Sequence, residues 1–444
     1  MQFNDLYFVF FLIFAIISAV GLLFYGFKDI RLAVSLVLLT PILSALFYKN
    51  EVIWITEELE TGYSGYLRGA IIIFCLIVGV VIFLKKWPAH KGALSKGYYV
   101  LFTFIVFAII TLTYTLDEKY TAVRSFFFVG IFFLLIGLDK WLSSREKLHS
   151  LLNTMFYICV AVVLINLISM GFPSRSWWWR TPRFIGLFEQ PNQTGAYMML
   201  CYPLFLWKFY SSENELKQKI LAVTILVIAL LLHVLTGSRT TIIGSILGIS
   251  VFLLIKRKIV KLVAVSSIAS LFLIVLLFLY TPETMTRGDA NSALTITGRD
   301  VLWKGAITRL LQNPLLGYGY MVESKILNLE SMEGTFSLAT AQQPLHNGYL
   351  SIITGTGLIG FSMWLVIIFF PMAKSAKIRE PYLIDYKAYC FSTMIMVLVA
   401  NFFESFLTGY IGNGGDVFFW FAWVIGIKIS EQAIVDETEN QIEY

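Results

Sequence analysis

Residues 151–171 read LLNTMFYICVAVVLINLISMG, twenty-one positions without one Asp, Glu, Lys or Arg. A helix of that length rises about 30 Å, the thickness of a bilayer's hydrocarbon core. Lys140, Arg145 and Lys147 stand just before the run, and no charge follows it until Arg175. Outward from it in both directions, comparable apolar runs occupy 7–27, 32–48, 67–84, 98–116, 120–138, 193–210, 219–235, 240–255, 260–280, 347–372, 387–407 and 416–430. Each approaches the ~20 residues that a crossing needs, about thirteen spans in all. The expected fold is an all-α polytopic membrane protein with about 12–13 transmembrane helices.

Composition agrees. Hydrophobic residues fill 58% of the 444 positions and charged ones 14%, against roughly 25% charged in a soluble domain. Mean hydropathy is +0.76. The apolar surface recurs from end to end, so residues 1–444 read as one membrane domain rather than a soluble domain with an anchor. Cys75, Cys159, Cys201 and Cys390 all fall inside apolar runs, with no CxxC and no Cys/His pairing, so buried inert thiols are expected. The first run, from Leu6, lacks a basic lead-in and a small-residue cleavage site and reads as a retained helix, not a signal peptide.

Orientation follows from Lys and Arg in the short connections. Lys85, Lys86, Lys91 and Lys96 follow the third span, Lys140, Arg145 and Lys147 the fifth, and Lys208, Lys217 and Lys219 the seventh. Lys256, Arg257, Lys258 and Lys261 follow the ninth, and Lys374, Lys377 and Arg379 the eleventh. Every second connection is basic and is assigned to the cytoplasm. The alternate connections, such as 50–66 with Glu51, Glu57, Glu58 and Glu60, face out.

Two outward segments break this pattern. Segment 172–192, FPSRSWWWRTPRFIGLFEQPN, carries Arg175, Arg180 and Arg183 where positive charge is usually scarce. Segment 281–346 is the longest polar stretch, a large extracytoplasmic loop of a length that is usually functional or disordered. Within it, Thr297–Leu311 has helical spacing, with Val301, Leu302, Ala306, Ile307, Leu310 and Leu311 on one face. Asn313-Pro314 and Gly317-Tyr318-Gly319 stop that helix. A small folded cap on the outer face is expected.

Arginine on the outer side suits phosphate, because its guanidinium forks across two oxygens and stays charged. Arg239 lies in Thr236-Gly237-Ser238-Arg239-Thr240 between two spans, and Arg299 in Thr297-Gly298-Arg299-Asp300 opens the loop helix, with Thr297 as a candidate N-cap. Either could merely snorkel to the interface. Together with Arg180 and Arg183 they form a cationic set on one face that suits a diphosphate. His346 is the histidine placed outward, whereas His90 and His149 fall on the basic side and His233 reads as core or interfacial. Imidazole titrates near neutrality, so His346 could take a proton from a sugar hydroxyl. Glu404, near the outer end of the 387–407 run, is either a functional carboxylate or a structural hydrogen-bonding group. Trp177, Trp178 and Trp179 are either an interfacial aromatic belt or a stacking surface for sugars or a polyprenyl chain.

Absences narrow the classes. No GxxxxGK[ST] loop signals ATP-driven transport, no acidic Asp-x-Asp metal pair lies on the outer face, and acidic residues within the spans are few, which weakens a coupled transporter.

The assembled motifs resemble the bacterial O-antigen ligase and O-antigen polymerase superfamily. His346-Asn347, nine residues, then Gly357-Leu358-Ile359-Gly360 fits the ligase pattern His-[Asn/Ser/Gln]-x9-Gly-x-x-Gly. Thr297-Gly298-Arg299-Asp300, Asn313-Pro314-x-x-Gly317-Tyr318-Gly319, Ser238-Arg239, and Arg183-x-x-Gly186 with Pro191-Asn192 resemble family blocks. The similarity covers roughly 175–405, and the first 150 residues match only in hydrophobicity.

The resemblance implies a C-type, membrane-embedded, inverting glycosyltransferase that needs no metal, cofactor or nucleotide sugar. Its donor would be a glycan on undecaprenyl diphosphate, displayed on the periplasmic side of the bacterial inner membrane. Arg183, Arg239 and Arg299 would hold the diphosphate, and His346 would orient or deprotonate the acceptor hydroxyl. Arg180, Asn192, Asn347, Glu404 and Trp179 are the further candidates for substrate contact. The acceptor would be lipid A-core for a ligase, or a second lipid-linked repeat unit for a polymerase of O-antigen or capsule polysaccharide. Transfer to protein hydroxyls and a lipid-linked sugar flippase are the remaining readings, and no nucleic-acid partner is implied. The His-x9 motif favours the ligase.

Overall fold

The computed structural model describes residues 29–48, 63–86, 94–171, 183–211, 215–258, 260, 299–326, 345–407 and 414–442. Their helices are α1 (Arg31–Tyr48), α2 (Tyr63–Lys86), α3 (Lys96–Ile110), α4 (Glu118–Trp141), α5 (Arg145–Ser169) and α6 (Pro191–Tyr210). There follow α7 (Leu216–Leu235), α8 (Arg239–Ile255), α9 (Arg299–Gln312), a single turn α10 (Glu323–Ile326), α11 (Gly348–Ser375), α12 (Ile384–Ala400) and α13 (Gly414–Ile442). No β-strand forms among these residues. The chain is an all-α polytopic membrane protein. Six of the described helices (α2, α3, α4, α5, α7 and α11) are long and apolar enough to cross a bilayer. The expected span 7–27 and all but the first residue of 260–280 lie outside the described residues.

The local sequence explains where helices begin. Asp117 caps α4 by accepting from the Tyr120 amide at 2.9 Å, and Ser144 caps α5 through the Lys147 amide. Pro191 opens α6, where a missing amide hydrogen costs nothing. That helix is buried along most of its length, so the bundle closes around it. Leu84, Ile168, Leu231 and Leu254 remain exposed on other helices, as faces turned to lipid should. Elsewhere small residues let backbones approach: a Cβ on Gly79 of α2 would stand 2.2 Å from the Phe133 carbonyl oxygen of α4.

Helix ends meet at two levels. At one, Lys256 pairs with Asp385, Lys428 with Asp139 at 3.0 Å, and Arg145 lies over the Tyr382 ring. At the other, the 183–190 segment, the α7–α8 turn, the head of α9 and the head of α11 come together around the turn that follows α12.

The 347–372 run is one helix by trace but broken in the middle. Gly357 has φ 62 and ψ −170, a conformation that an L side chain rarely adopts. The break exposes backbone groups, and the Asn313–Gly319 turn pairs with them. Tyr318 and Gly319 amides donate to the Thr354 and Gly355 carbonyls, while Leu358 and Ile359 amides donate to Pro314 and Leu315. A Cβ at Gly357 would sit 2.2 Å from the Leu315 oxygen. The two glycine-bearing motifs are thus halves of one backbone junction.

One expected boundary shifts. The 387–407 run is helical only to Ala400, because Asn401 turns the chain by accepting from the Phe406 and Leu407 amides, both at 3.0 Å. The apolar face of the loop helix is also only partly buried. Leu302 and Ala306 pack with Leu345, but Ile307 and Leu311 are exposed, because α9 touches the protein along one narrow stripe. Thr297, the candidate N-cap, lies outside the described residues.

Candidate active site

Glu404 is the hub. It follows the Asn401 turn, and the Gly348 amide donates both to the Asn401 carbonyl at 2.9 Å and to the Glu404 carbonyl at 3.2 Å. A Cβ on Gly348 would meet the Asn401 Oδ1 at 2.0 Å, so only glycine lets α11 start this close. This junction fixes His346, two residues earlier, against the carboxylate.

Three side chains reach the Glu404 carboxylate. Asn192 Nδ2 donates to Oε1 at 2.8 Å, Arg299 Nη2 lies 3.3 Å from the same oxygen, and His346 Nδ1 stands 3.4 Å from Oε2. Arg299 Nη1 also donates to the Phe403 carbonyl, so α9 is pinned at its first residue. Asn192 in turn accepts from Arg183 Nη2 at 2.8 Å, and Arg183 Nε donates to the Thr236 carbonyl at 2.7 Å. Residues from five distant stretches of chain therefore share one polar cluster.

The electrostatics are mutual. Burial would push the Glu404 carboxyl up, but the His346 hydrogen bond, the charges of His346 and Arg299, and the Asn192 hydrogen bond outweigh it and hold the group below the ordinary carboxylate value. His346 takes φ 49, uncommon for a residue with a side chain. Such outliers persist where surrounding structure over-determines them, often at functional sites. Its side chain is 28% exposed, against 9% for Glu404. With Nδ1 turned to the carboxylate, Nε2 has no hydrogen-bond partner among the described residues.

The other candidates separate. Arg239 is exposed as the first residue of α8, directly after the turn whose Thr236 carbonyl holds Arg183. Asn347 is buried and caps α11, its Oδ1 accepting from the Leu350 amide at 3.0 Å; helix capping, not an open side chain, is its visible role. Arg180 and Trp179 lie outside the described residues, as do Trp177 and Trp178. All four cysteines are buried and free, as expected.

One pair went unread in the sequence. Arg68 of α2 is buried and ion-paired at 3.0 Å with Glu189, which also bonds Gln193 on α6. It ties down the segment between Arg183 and Asn192. The partners are 121 positions apart, and no local pattern links them.

His233 is the contrasting histidine. Tyr202 OH lies 2.7 Å from Nδ1 and Thr241 Oγ1 lies 2.6 Å from Nε2. Thr241 Oγ1 donates its proton to the Ser238 carbonyl, so it accepts from Nε2–H, and Nδ1 accepts from Tyr202. This assigns the neutral tautomer by donor logic. Both nitrogens are satisfied internally.

Residues 224–365 match the family model described as O-antigen ligase. The matched segment runs from within α7 into α11 and holds Arg239, Arg299 and His346. The match supports membership of the O-antigen ligase superfamily, whose motifs the chain resembles, and with it a glycosyltransferase-like enzyme of ligase or polymerase type in the membrane. Lipid-linked glycans and lipid A-core are the substrate types this family implies. No curated protein matches the chain.

Proposed function

We propose that the protein transfers a glycan from undecaprenyl diphosphate to a hydroxyl of lipid A-core at the outer face of the bacterial inner membrane. The observation that carries this reading is the gathering of Arg299, Arg183 through Asn192, and His346 around the Glu404 carboxylate. A cationic group for a leaving diphosphate and a base for an acceptor hydroxyl stand side by side, as transfer from a lipid diphosphate requires.

In the reaction, the acceptor oxygen attacks the anomeric carbon opposite the diphosphate. The new C–O bond forms as the C–O bond to phosphorus breaks, which inverts the centre. His346 Nε2 takes the hydroxyl proton, and Glu404 across the ring holds Nδ1–H and stabilises the imidazolium. Arg299 and Arg183, with Arg239 at the neighbouring helix head, neutralise the departing diphosphate. Aimed guanidinium groups supply here the charge stabilisation that a metal supplies in other enzymes. Departure of the diphosphate as a stabilised anion drives the step, so no nucleotide is consumed.

The test is purified protein in vesicles with a lipid-linked glycan and two acceptors, lipid A-core and a second lipid-linked repeat unit, each with and without EDTA. Transfer to lipid A-core that survives the chelator supports the proposal. Transfer only to the lipid-linked unit makes the protein a polymerase, and loss with chelator reversed by magnesium or manganese demotes the arginines.

A further inference from the structure

The exposed stripe of α9 changes character along its length. Lys304 is exposed near the start, then Ile307 and Leu311, and Leu315 and Leu316 follow in the turn. Leu311 is 73% exposed and Leu315 58%, values that a water-soluble cap would avoid in adjacent large apolar residues. On the helix, positions 304, 307 and 311 share one side, and Leu315 and Leu316 follow past its end at Gln312, so the exposed surface runs from charged to apolar along the chain.

The turn that ends this stripe is docked deep. Its backbone pairs with Thr354 to Ile359 of α11, six to eleven residues past that helix's start at Gly348. Nine residues of helix from Gly348 to Gly357 span about 14 Å. Counting back ~20 residues from Lys374, at the other end of α11, puts the edge of the hydrocarbon core near Thr354. The Pro314–Leu316 turn therefore lies at that edge or just inside it, next to Leu358 and Ile359, which are themselves exposed apolar residues of a membrane-crossing helix. At the other end of α9, Arg299 is held beside Glu404 above the start of α11.

We infer that α9 is not a cap in water but an interfacial helix that dips, C-terminal end first, into the outer leaflet, with acyl chains of the membrane lipid covering Ile307, Leu311, Leu315 and Leu316. Continuity with the lipid-facing surface of α11 names the occupant, and the charge-to-apolar gradient gives the direction. Interfacial helices bury their apolar face about 5–10 Å into the headgroup and acyl boundary, which is the depth this docking provides. The consequence is positional: α9 anchors Arg299 at headgroup level, where the diphosphate of any membrane-held lipid resides. The inference rests on the membrane-spanning fold and not on the transfer reaction.

The experiment is nitroxide labelling of Lys304→Cys, Leu311→Cys and Leu315→Cys in the full-length protein reconstituted in vesicles. The four native cysteines are buried, and unsubstituted protein labelled in parallel measures their background. Power saturation with oxygen and with a water-soluble nickel chelate then reports depth. The expected result is an oxygen-to-nickel accessibility ratio several-fold higher at 311 and 315 than at 304. Nickel access at 311 and 315 equal to that at 304 would place the segment in water. Shielding from both reagents would mean that protein, a second copy or another part of the chain, covers the stripe. Either outcome overturns the inference and leaves the transfer reading standing.

Discussion

Two histidines lie in polar clusters of one bundle, and their surroundings differ in what they leave open. His233 is 2% exposed, with each ring nitrogen engaged by a hydroxyl. His346 has one nitrogen on a carboxylate, a partly exposed ring and a strained backbone. A histidine satisfied on both sides has no proton to exchange with a substrate; it joins α6, α7 and α8. A histidine backed by a carboxylate on one side is arranged to act on the other. The lesson is that the count of unused hydrogen-bonding positions, more than residue type, separates a histidine closed to substrate from one proposed to act on it.

Variants can break or sharpen this contrast. The largest effect is expected at the arginine beside His346. Arg299→Ala should lose about 2–4 kcal/mol of transition-state stabilisation, comparable to removing an oxyanion donor, and weaken donor binding. Lysine there should restore only part, because a point charge cannot fork across two oxygens. Transfer rates and donor affinity, measured on samples matched in expression and in their melting curves in detergent, decide it, and an Arg299→Ala variant with both unchanged would remove the cluster from the mechanism.

Next, His346→Ala should slow transfer by roughly a hundredfold or more while donor affinity holds. Loss of donor affinity with an unaltered rate for bound donor would assign His346 to binding instead. At the other histidine the expectation is reversed. His233→Leu leaves Tyr202 and Thr241 without a ring partner and should cost about 1–3 kcal/mol of stability, read as a lower melting temperature, with the rate per folded molecule nearly intact. A His233→Leu protein that melts normally but transfers slowly would erase the distinction between the two residues.

The smallest effect is the acid dependence of the Glu404 cluster. Its folded-state carboxyl is held below the ordinary 4.5, so its contribution to stability is fully present above that value. The contribution is lost as pH falls through the depressed folded value. Thermal melting at stepped acid pH should therefore decline less steeply for Glu404→Gln than for the parent, and parallel slopes would show that the carboxylate is not protected.

Much of this was legible along the chain. The crossing helices announce themselves because lipid demands long uncharged runs: the run 151–171 falls within α5 and 120–138 within α4, apart from the last two residues of the former. His346, Arg299, Arg183, Asn192 and Glu404 stand out from charge on the side read as outward and from motif spacing, and the fold brings them within one cluster. A capping asparagine and a ligand-binding one look alike in sequence, and only the structure shows that Asn347 accepts from the Leu350 amide.

What the sequence determined by itself is where helices cross and which residue types could handle a diphosphate and a hydroxyl, since both follow from local composition and from the chemistry of single side chains. Only the tertiary structure decided that Glu404 is the hub, that Arg68 meets Glu189, and that the Asn313–Gly319 turn completes the break at Gly357. Those facts are contacts between residues far apart in the chain. A buried charge or a freed backbone group must find a partner somewhere, but sequence separation does not say where. The partner is fixed by packing: Gly357 lets two backbones close to a distance that any side chain would forbid, and Gly348 leaves the space that the Asn401 side chain fills.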